Sequence, residues 1–272
     1  MPDDVTATAV ANGVARRSES AALVAADDSG RLVRWRELAQ GSWFSTNVSA
    51  DKLIAFDRAK EVLDTRRIPP THGDGPEPDA PADEPMPQVD WWPRRTAFED
   101  LWQHGRRFLY GAVNAGGLGA AGFGPFCLVS NPEAPTPDAL AVFPADSAQR
   151  YTNLDAVVDR ERAKAEATAW ADRADLAVTQ LGQVALSVEE QDWPDRLCGA
   201  ERYLEVVRAG RFLSETVAEV RVTTGYLWTL AELRLRHVAG EPLDDLERNQ
   251  AAAYDVLGRW RRTDGVTVVT VG

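Results

Sequence analysis

The stretch between residues 116 and 124 is the first place where residue types and spacing suggest chemistry. Glycine-rich loops of this kind can cradle phosphate groups, because their backbone N–H groups can approach an anion closely. The sequence lacks both the Gly-Lys-Ser/Thr ending of a nucleoside-triphosphate loop and a clean Gly-x-Gly-x-x-Gly leading into a helix. We therefore predict a flexible hairpin loop between two strands, formed around Gly116, Gly117, Gly119, Gly122 and Gly124.

Nucleophilic and metal-binding residues are few. None of the three histidines, His72, His104 and His237, has a catalytic partner visible in the sequence, so we expect neither a Ser-His-Asp nor a Cys-His arrangement. Three histidines and two cysteines do not make a convincing zinc site, and no metal is expected. Cys127 and Cys198 are expected to be reduced thiols.

The net charge of the chain limits the classes of partner that it is expected to bind. Lys and Arg number 30 against 42 Asp and Glu, a net charge of −12, so strong nucleic-acid binding is not expected. No run of about 18 apolar residues predicts a membrane span, and the first residues do not resemble a secretory signal. We expect a cytoplasmic protein.

Four short segments carry aromatic, polar and charged residues in an order that a known family shares. They read RFLYGAVN at 107–114, FGPFCLV at 123–129, DSAQRY at 146–151 and YLEVVRAG at 203–210. Over about residues 94–222 the chain resembles ADP-ribosyltransferase-like domains, in particular a bacterial family. Those domains carry an Arg-Pro-x-Tyr-Gly-Ala-Leu-Asn strand, a Phe-Gly strand, a Gly-Asp-Ser turn and a Tyr-[Ile/Val]-Glu-Ala strand before a glycine.

The resemblance implies an α+β fold, with a split mixed or antiparallel β-sheet of the ADP-ribosyltransferase type and flanking helices. It implies NAD as a substrate and transfer of ADP-ribose to a macromolecule or a small molecule. An effector or toxin role fits that chemistry, and hydrolysis of NAD is a close variant. The reaction breaks the bond between nicotinamide and ribose through a sugar cation similar to that of glycoside hydrolysis.

The resemblance also implies a role for individual residues. Glu205 would be catalytic, holding the ribose 2′-hydroxyl and stabilising the developing cation. The implied cofactor-binding residues are Arg107 at the pyrophosphate, Ser147 orienting Glu205 or the ribose, Tyr110 or Tyr151 stacked on nicotinamide, Gly111 allowing close backbone approach, and Asn114.

The chain departs from the family pattern at several positions. Phe108 stands where the family usually has proline, Ala145 replaces the glycine before Asp-Ser, and valines at 206 and 207 replace Ala-Gln. Tyr203 occupies the position two residues before Glu205, where transferases that modify arginine place Glu or Gln. Modification of arginine is therefore not supported, and an inactive relative stays open.

The same residues also have structural interpretations. Glu205 alternates with Leu204 and Val206, as a solvent-facing strand residue does, and Arg107 could form a surface ion pair. The tyrosines could lie at the edge of the core, and Ser147 could only close a turn. An enzyme should place Arg107, Ser147 and Glu205 around one cleft open to solvent. The alternative is a catalytically inactive binding or interaction module on the same fold.

Composition divides the chain into four parts. Residues 1–20 are polar and patternless and are predicted to be a disordered tail. Residues 21–70 are predicted to be a helical segment, and 71–90 an acidic, proline-rich linker. Residues 91–272 would form the ADP-ribosyltransferase-like domain with a C-terminal helix and strand.

Hydrophobic spacing predicts the elements that must position these residues. Helices are expected over 49–63 with Ser49 as cap, over 95–106, over 154–174 with Thr152 or Asn153 as cap, and over 243–260. Residues 226–238 fit either a helix or a strand. Strands are expected over 108–113, 125–130, 140–143, 203–207, 217–222 and 266–269.

Overall fold

A computed structural model describes residues 3–62, 91–131, 140–199, 202–210 and 212–271. The predicted linker, 71–90, lies outside these residues. The described helices are α1 Val5–Ala25, α2 Arg31–Gln40, α3 Ala50–Ala59, α4 Trp91–Glu99, α5 Ser147–Tyr151, α6 Arg160–Glu166, α7 Arg173–Ser187, α8 Trp193–Leu197, α9 Thr224–Val238 and α10 Asp245–Arg259. The described strands are β1 Trp43–Val48, β2 Glu61–Val62, β3 Phe108–Asn114, β4 Phe126–Ser130, β5 Leu140–Phe143, β6 Thr168–Ala169, β7 Glu205–Ala209, β8 Phe212–Leu213, β9 Val217–Thr223 and β10 Thr267–Val271.

Eight of these strands form one mixed sheet, which makes the fold α+β. Their order is β10-β9-β4-β1-β3-β7-β5-β6, and every neighbouring pair is antiparallel except β9 with β10. Strands β2 and β8 form a separate antiparallel pair.

Helices cover both faces of the sheet. One face packs its apolar side chains, among them Val206, against α2, α3, α7, α9 and α10. The other face, with Val207, packs against α1, α4 and α5 around Phe98 and Phe143. Because side chains alternate along a strand, Glu205 lies on the same face as Val207, beneath α4 and α5. A central strand covered on both sides has no solvent-facing positions, so alternation was a poor guide to the exposure of Glu205.

The N-terminal residues do not form the predicted tail. Helix α1 is capped by the Asp4 side chain, which accepts hydrogen bonds from the backbone N–H groups of Thr6 and Ala7 at 2.9 and 3.2 Å. A stripe of mostly small residues then packs against the body, with buried positions Val5, Ala9, Gly13, Arg16 and Ser20. The helical period was present in the sequence, but it was carried by small residues rather than by large apolar ones.

Residues 21–70 and 91–272 were predicted to be separate parts of the chain, but both supply strands to the same sheet. Strand β1 pairs with β3 on one side and with β4 on the other. The N-terminal segment therefore supplies a central strand to the same sheet as the later strands. The same pairing corrects the hairpin prediction, because β1 separates the two strands that the glycine-rich loop joins.

The predicted helix over 154–174 is wrong. Helix α6 covers only part of it, and the side chain of Asp159, not Thr152 or Asn153, caps its first turn through the N–H of Arg162 at 3.1 Å. The chain then forms β6, which pairs with β5, and α7 begins at Arg173. The alanine-rich composition favours a helix locally, but strand pairing overrides that preference. The ambiguous stretch 226–238 is helical, within α9.

The predicted helix over 95–106 is wrong beyond Glu99, where α4 ends, and β7 begins at Glu205 rather than at residue 203. The remaining predicted elements are present with shifted ends. Helix α3 has Ser49 at its N-cap position and ends at Lys60, earlier than predicted, where the backbone is left-handed with φ 61°. Helix α10 begins with a capping box, in which Asp244 accepts from the Glu247 N–H at 2.8 Å and Glu247 accepts from the Asp244 N–H at 3.0 Å. Gly265 ends the following turn in a left-handed conformation before β10.

No helix in the described part of the chain is both long and apolar enough to cross a bilayer.

Candidate functional site

Glu205 lies in the middle of the sheet at the start of β7. It is opposite Ala112 of β3 and Phe143 of β5, and its side chain is 2% exposed. Both carboxylate oxygens have partners. Oε1 accepts a hydrogen bond from Arg95 Nη2 at 3.0 Å, and Oε2 accepts one from the Ser147 backbone N–H at 2.9 Å. The alternative interpretation of Glu205 as a solvent-facing strand residue is therefore wrong.

Ser147 is at the first position of α5, directly after the strand β5 that neighbours β7. The side chain of Asp146 caps this helix by accepting from the Gln149 N–H at 2.9 Å. The cap turns the chain so that the Ser147 N–H points at Glu205, and the Ser147 hydroxyl accepts from Arg95 Nη1 at 2.8 Å. The expectation that Ser147 orients Glu205 is consistent with this contact.

Arg95 is the residue that joins these groups, and sequence reasoning missed it. Its side chain is 1% exposed, and Nη2 also donates to Asp146 Oδ2 at 3.3 Å. Its guanidinium carbon lies 3.8 Å from the centre of the Tyr110 ring. A signal did exist in the sequence. Arg95 lies three residues before the buried Phe98, so the two side chains share one face of α4.

The buried polar residues around Arg95 form one network, which we call the Arg95 cluster. The Tyr203 hydroxyl donates to Asp146 Oδ2 at 3.2 Å, and the Tyr110 hydroxyl donates to Glu99 Oε1 at 3.1 Å. The cluster thus consists of one guanidinium, three carboxyl groups, two phenols and a serine, from Arg95, Glu99, Tyr110, Asp146, Ser147, Tyr203 and Glu205.

Within the cluster the pKa is shifted for Glu205, for Arg95 and for the two tyrosines. Burial raises the pKa of Glu205 to about 7, and the charge of Asp146 adds to this shift, while Arg95 and the Ser147 hydrogen bond oppose it. Burial alone would lower the pKa of Arg95, but Glu205, Tyr110 and Asp146 raise it well above its usual value, so Arg95 stays charged. Burial also raises the pKa of Tyr203 and of Tyr110. A carboxyl group with a strongly shifted pKa beside a specific charge partner is typical of functional sites.

Arg107 does not take part. It is exposed, at the end of the turn that precedes β3, whereas Glu205 is opposite Ala112, five residues further along that strand. At the rise of a β-strand, five residues span roughly 17 Å. The expectation that Arg107 and Glu205 share a site is therefore wrong.

Gly111 and Asn114 have structural roles in the sheet and in the glycine-rich loop. A Cβ atom on Gly111 would lie 2.2 Å from the Ser45 carbonyl oxygen and 2.4 Å from the Phe44 ring, so glycine is needed for packing against β1. Asn114 is 1% exposed. Its side chain donates to the Gly117 carbonyl at 3.1 Å and accepts from the Gly116 N–H at 2.9 Å, which holds the glycine-rich loop.

The two tyrosines are not open aromatic surfaces. Tyr151 is 1% exposed, stacks on Phe98 with ring centres 5.9 Å apart, and donates its hydroxyl to Glu166 at 2.8 Å. Tyr110 is half-buried, with Arg95 over one face of its ring. The Tyr151 ring is enclosed and cannot receive nicotinamide in this arrangement, so the structural interpretation of Tyr151 as a core residue is the correct one.

Glu205 does not line an open cleft in this structure. A cavity of about 380 Å³ is lined by residues 150–153 and 157–159, and another of about 210 Å³ by Trp43, Asn114 and Arg221 with Gly41 and Ala115. Neither reaches Arg95, Ser147 or Glu205. Arg107, Ser147 and Glu205 therefore do not surround one cleft open to solvent. Of the three, only Ser147 and Glu205 are in contact.

The described part of the chain holds no group of three or more His, Cys, Asp or Glu side chains arranged for a metal ion. Cys127 and Cys198 are buried free thiols. Comparison of the chain with models of known protein families finds no match, and comparison with curated proteins finds no similar sequence.

Proposed function

We propose that the chain is an NAD-dependent ADP-ribosyltransferase in which Arg95, Ser147 and Glu205 form the reaction centre. The observation that carries the proposal is the mutual contact of these three residues, in which Arg95 supplies the arginine that the resemblance assigned to Arg107. The likeness of the sheet to the ADP-ribosyltransferase type belongs to the same proposal, as do a cytoplasmic site of action and an effector or toxin role.

In the proposed reaction the bond between C1′ of the ribose and the nicotinamide nitrogen breaks, and its electron pair leaves with nicotinamide. The acceptor, a macromolecule, a small molecule or water, attacks C1′ and loses a proton. Ionised Glu205 would accept a hydrogen bond from the ribose 2′-hydroxyl and stabilise the positive charge that develops on the sugar. The Ser147 N–H would hold the other carboxylate oxygen in place.

The enclosure of Glu205 sets a condition on this chemistry. Both carboxylate oxygens are occupied and the side chain is 2% exposed. A ribose hydroxyl would have to replace the Arg95 contact at Oε1, so α4 would have to move away from the sheet. Arg95, once displaced from Glu205, could pair with the pyrophosphate, because a guanidinium binds phosphate and carboxylate with the same fork geometry.

The same enclosure favours a second candidate function, a non-catalytic binding or interaction module. In that case the hydrogen bonds of the Arg95 cluster serve only to hold α4 and α5 on the sheet. A buried network whose members are hydrogen-bonded can specify a unique packing without doing chemistry.

Nicotinamide release from NAD separates the two candidates. The wild type is compared with Glu205→Gln, which keeps the size of the side chain and removes its charge, and with Glu215→Gln, a matched change at an exposed position. Release by the wild type and by Glu215→Gln but not by Glu205→Gln supports the transferase. No release from any of the three, together with no shift of the melting temperature on adding NAD, contradicts it and favours the binding module.

A further inference from the structure

The two edges of the eight-stranded sheet are protected differently. At one edge β6 is only two residues long, and α1 packs against it. The Asn12 side chain of α1 donates to the carbonyl groups of Lys164 and Ala167, both at 2.8 Å, beside that edge. At the other edge β10 is five residues long, and among the described residues it pairs with β9 alone.

The composition of β10 suits strand pairing. It reads TVVTV, so every residue is β-branched and none is charged or proline. Thr267 and Thr270 are exposed, and the three valines are half-buried. Proteins usually protect such an edge with charged residues, proline, a bulge or a covering element, because its unpaired backbone groups are a template for another strand. Strand β10 has none of the first three, and among the described residues no strand pairs with its outer side.

We propose that two copies of this chain associate by antiparallel pairing of their β10 strands across a two-fold axis. With Val269 opposite its own copy, Thr267 faces Val271 and Val268 faces Thr270 on each side of the axis. Every cross-strand pair is then between β-branched residues, which pack well on a pleated surface, and no like charges meet. One segment contacts the same segment of the copy, as a two-fold interface requires.

Helix α9, which contacts β10, also has features suited to association. It carries three exposed apolar side chains, Trp228, Leu235 and Val238. Their spacing of seven and three residues puts them on one face of the helix, and an exposed apolar face is typical of an interface. Although the whole chain has a net charge of −12, α9 carries one glutamate, Glu232, against Arg234 and Arg236, so repulsion between copies is not concentrated here. Pairing of two five-residue strands buries less area than a standard interface, so we expect a weak dimer.

The test is the mass of the chain in solution from about 1 μM to about 1 mM, the range that separates weak from tight association. Sedimentation of the wild type should show a monomer becoming a dimer as concentration rises. Thr270→Lys, which places a charge on the exposed side of β10, should stay monomeric over the same range. Thr263→Lys, the same change at an exposed position before Gly265 and outside β10, should dimerise like the wild type.

Hydrogen exchange of the wild type gives a readout that does not depend on any variant folding. The amides of residues 267–271 should exchange more slowly at high concentration than at low concentration, and those of the exposed turn at 239–242 should not change. Any of three results would overturn the proposal. The wild type could stay monomeric over the whole range, Thr270→Lys could still dimerise, or the exchange rates of the β10 amides could be the same at all concentrations.

Discussion

Arg95 Nη2 lies 3.0 Å from Glu205 Oε1, and this contact joins α4 to the central strand β7. Both side chains are almost fully buried, at 1% and 2% exposure. A buried ion pair adds little stability compared with apolar residues of the same shape, because both charges lose their hydration. Removal of one partner alone is costly, since the remaining charge is left without compensation.

The first prediction concerns that asymmetry. Arg95→Met keeps most of the side-chain volume but leaves Glu205 and Asp146 without their shared cation. We expect the free energy of unfolding to fall by about 3–5 kcal/mol, as for other broken buried ion pairs. Urea unfolding at neutral pH measures the loss.

Two further variants control this experiment. Arg107→Met makes the same change at an exposed site and should alter stability by less than about 0.5 kcal/mol. Arg95→Met combined with Glu205→Gln should be more stable than Arg95→Met alone, because one of the two uncompensated carboxylates is then neutral. Equal losses at Arg95 and Arg107 would mean that the buried contact does not exist in solution.

The second prediction is a pH dependence of stability that Glu205 causes. The pKa of Glu205 is about 7 in the folded chain, against 4.5 for an ordinary glutamate. Between about pH 4.5 and pH 7 the folded state binds more protons than the unfolded state. The free energy of unfolding therefore decreases as pH rises through this range. The contribution of Glu205 is fully present below about pH 4.5 and is lost as pH rises through about 7, by at most about 3 kcal/mol.

Chemical denaturation from pH 5 to pH 8 checks this sign. The decrease should be larger in the wild type than in Glu205→Gln, and the histidines cancel because both proteins contain them. Carboxyl groups whose pKa is lowered, such as Glu166, whose ion and hydrogen-bond partners Arg150, Tyr151 and Arg162 outweigh its burial, change charge below this window. Parallel stability curves for the two proteins would show that Glu205 titrates like an ordinary glutamate.

Local patterns in the sequence predicted many single elements, among them α3, α10 and the strands β3, β4 and β5. Their signals are short-range, chiefly the spacing of apolar residues along the chain. The helix over 154–174 failed because the short strand β6 depends on pairing with β5, which is distant in the sequence. Sequence periodicity carries no information about such a partner.

The residues of the candidate site, like the elements of the fold, could be predicted only in part from the sequence. Ser147 and Glu205 were named from the order of short segments, and the structure brings them into contact. The arginine was misplaced, because α4 approaches Glu205 from above the sheet while Arg107 lies at the far end of β3. A charged residue on an apolar helix face, such as Arg95, is the pattern that would have identified the buried partner.

The third prediction tests the close contact of β1 with β3. Gly111→Ala would place a methyl group 2.2 Å from the Ser45 carbonyl oxygen, a backbone atom of a buried strand that cannot move freely. We expect a loss of about 1–3 kcal/mol, typical of overpacking. Gly225→Ala is the matched control, because nothing lies within 4 Å of the new Cβ and the residue is in α9. That variant should be more stable by up to about 1 kcal/mol, since alanine favours a helix. Thermal unfolding should therefore show shifts of opposite sign.

The fourth prediction concerns Asp57, which joins α3 to the C-terminal end of α10. Its carboxylate accepts a hydrogen bond from the buried Trp260 indole N–H at 2.7 Å and from Arg259 at 2.5 Å. Asp57→Ala leaves the indole N–H without an acceptor in a buried position, which costs about 1–3 kcal/mol. Arg259→Met should cost less than about 1 kcal/mol, because Arg259 is 47% exposed and its ion pair is screened by water.

A double-mutant cycle isolates the Asp57–Trp260 bond from the packing of the indole ring. Trp260→Phe removes the donor and retains an aromatic ring against Phe56, whose ring centre lies 5.8 Å from that of Trp260. Once the donor is gone, Asp57→Ala should cost less than it does in the wild type, because no buried N–H is then left unsatisfied. Equilibrium unfolding of the four proteins measures this coupling. If the two changes are additive, Asp57 stabilises the chain through Arg259 and through Lys60, whose Nζ lies 2.9 Å from Asp57 Oδ1, and the indole bond does not link α3 to the end of α10.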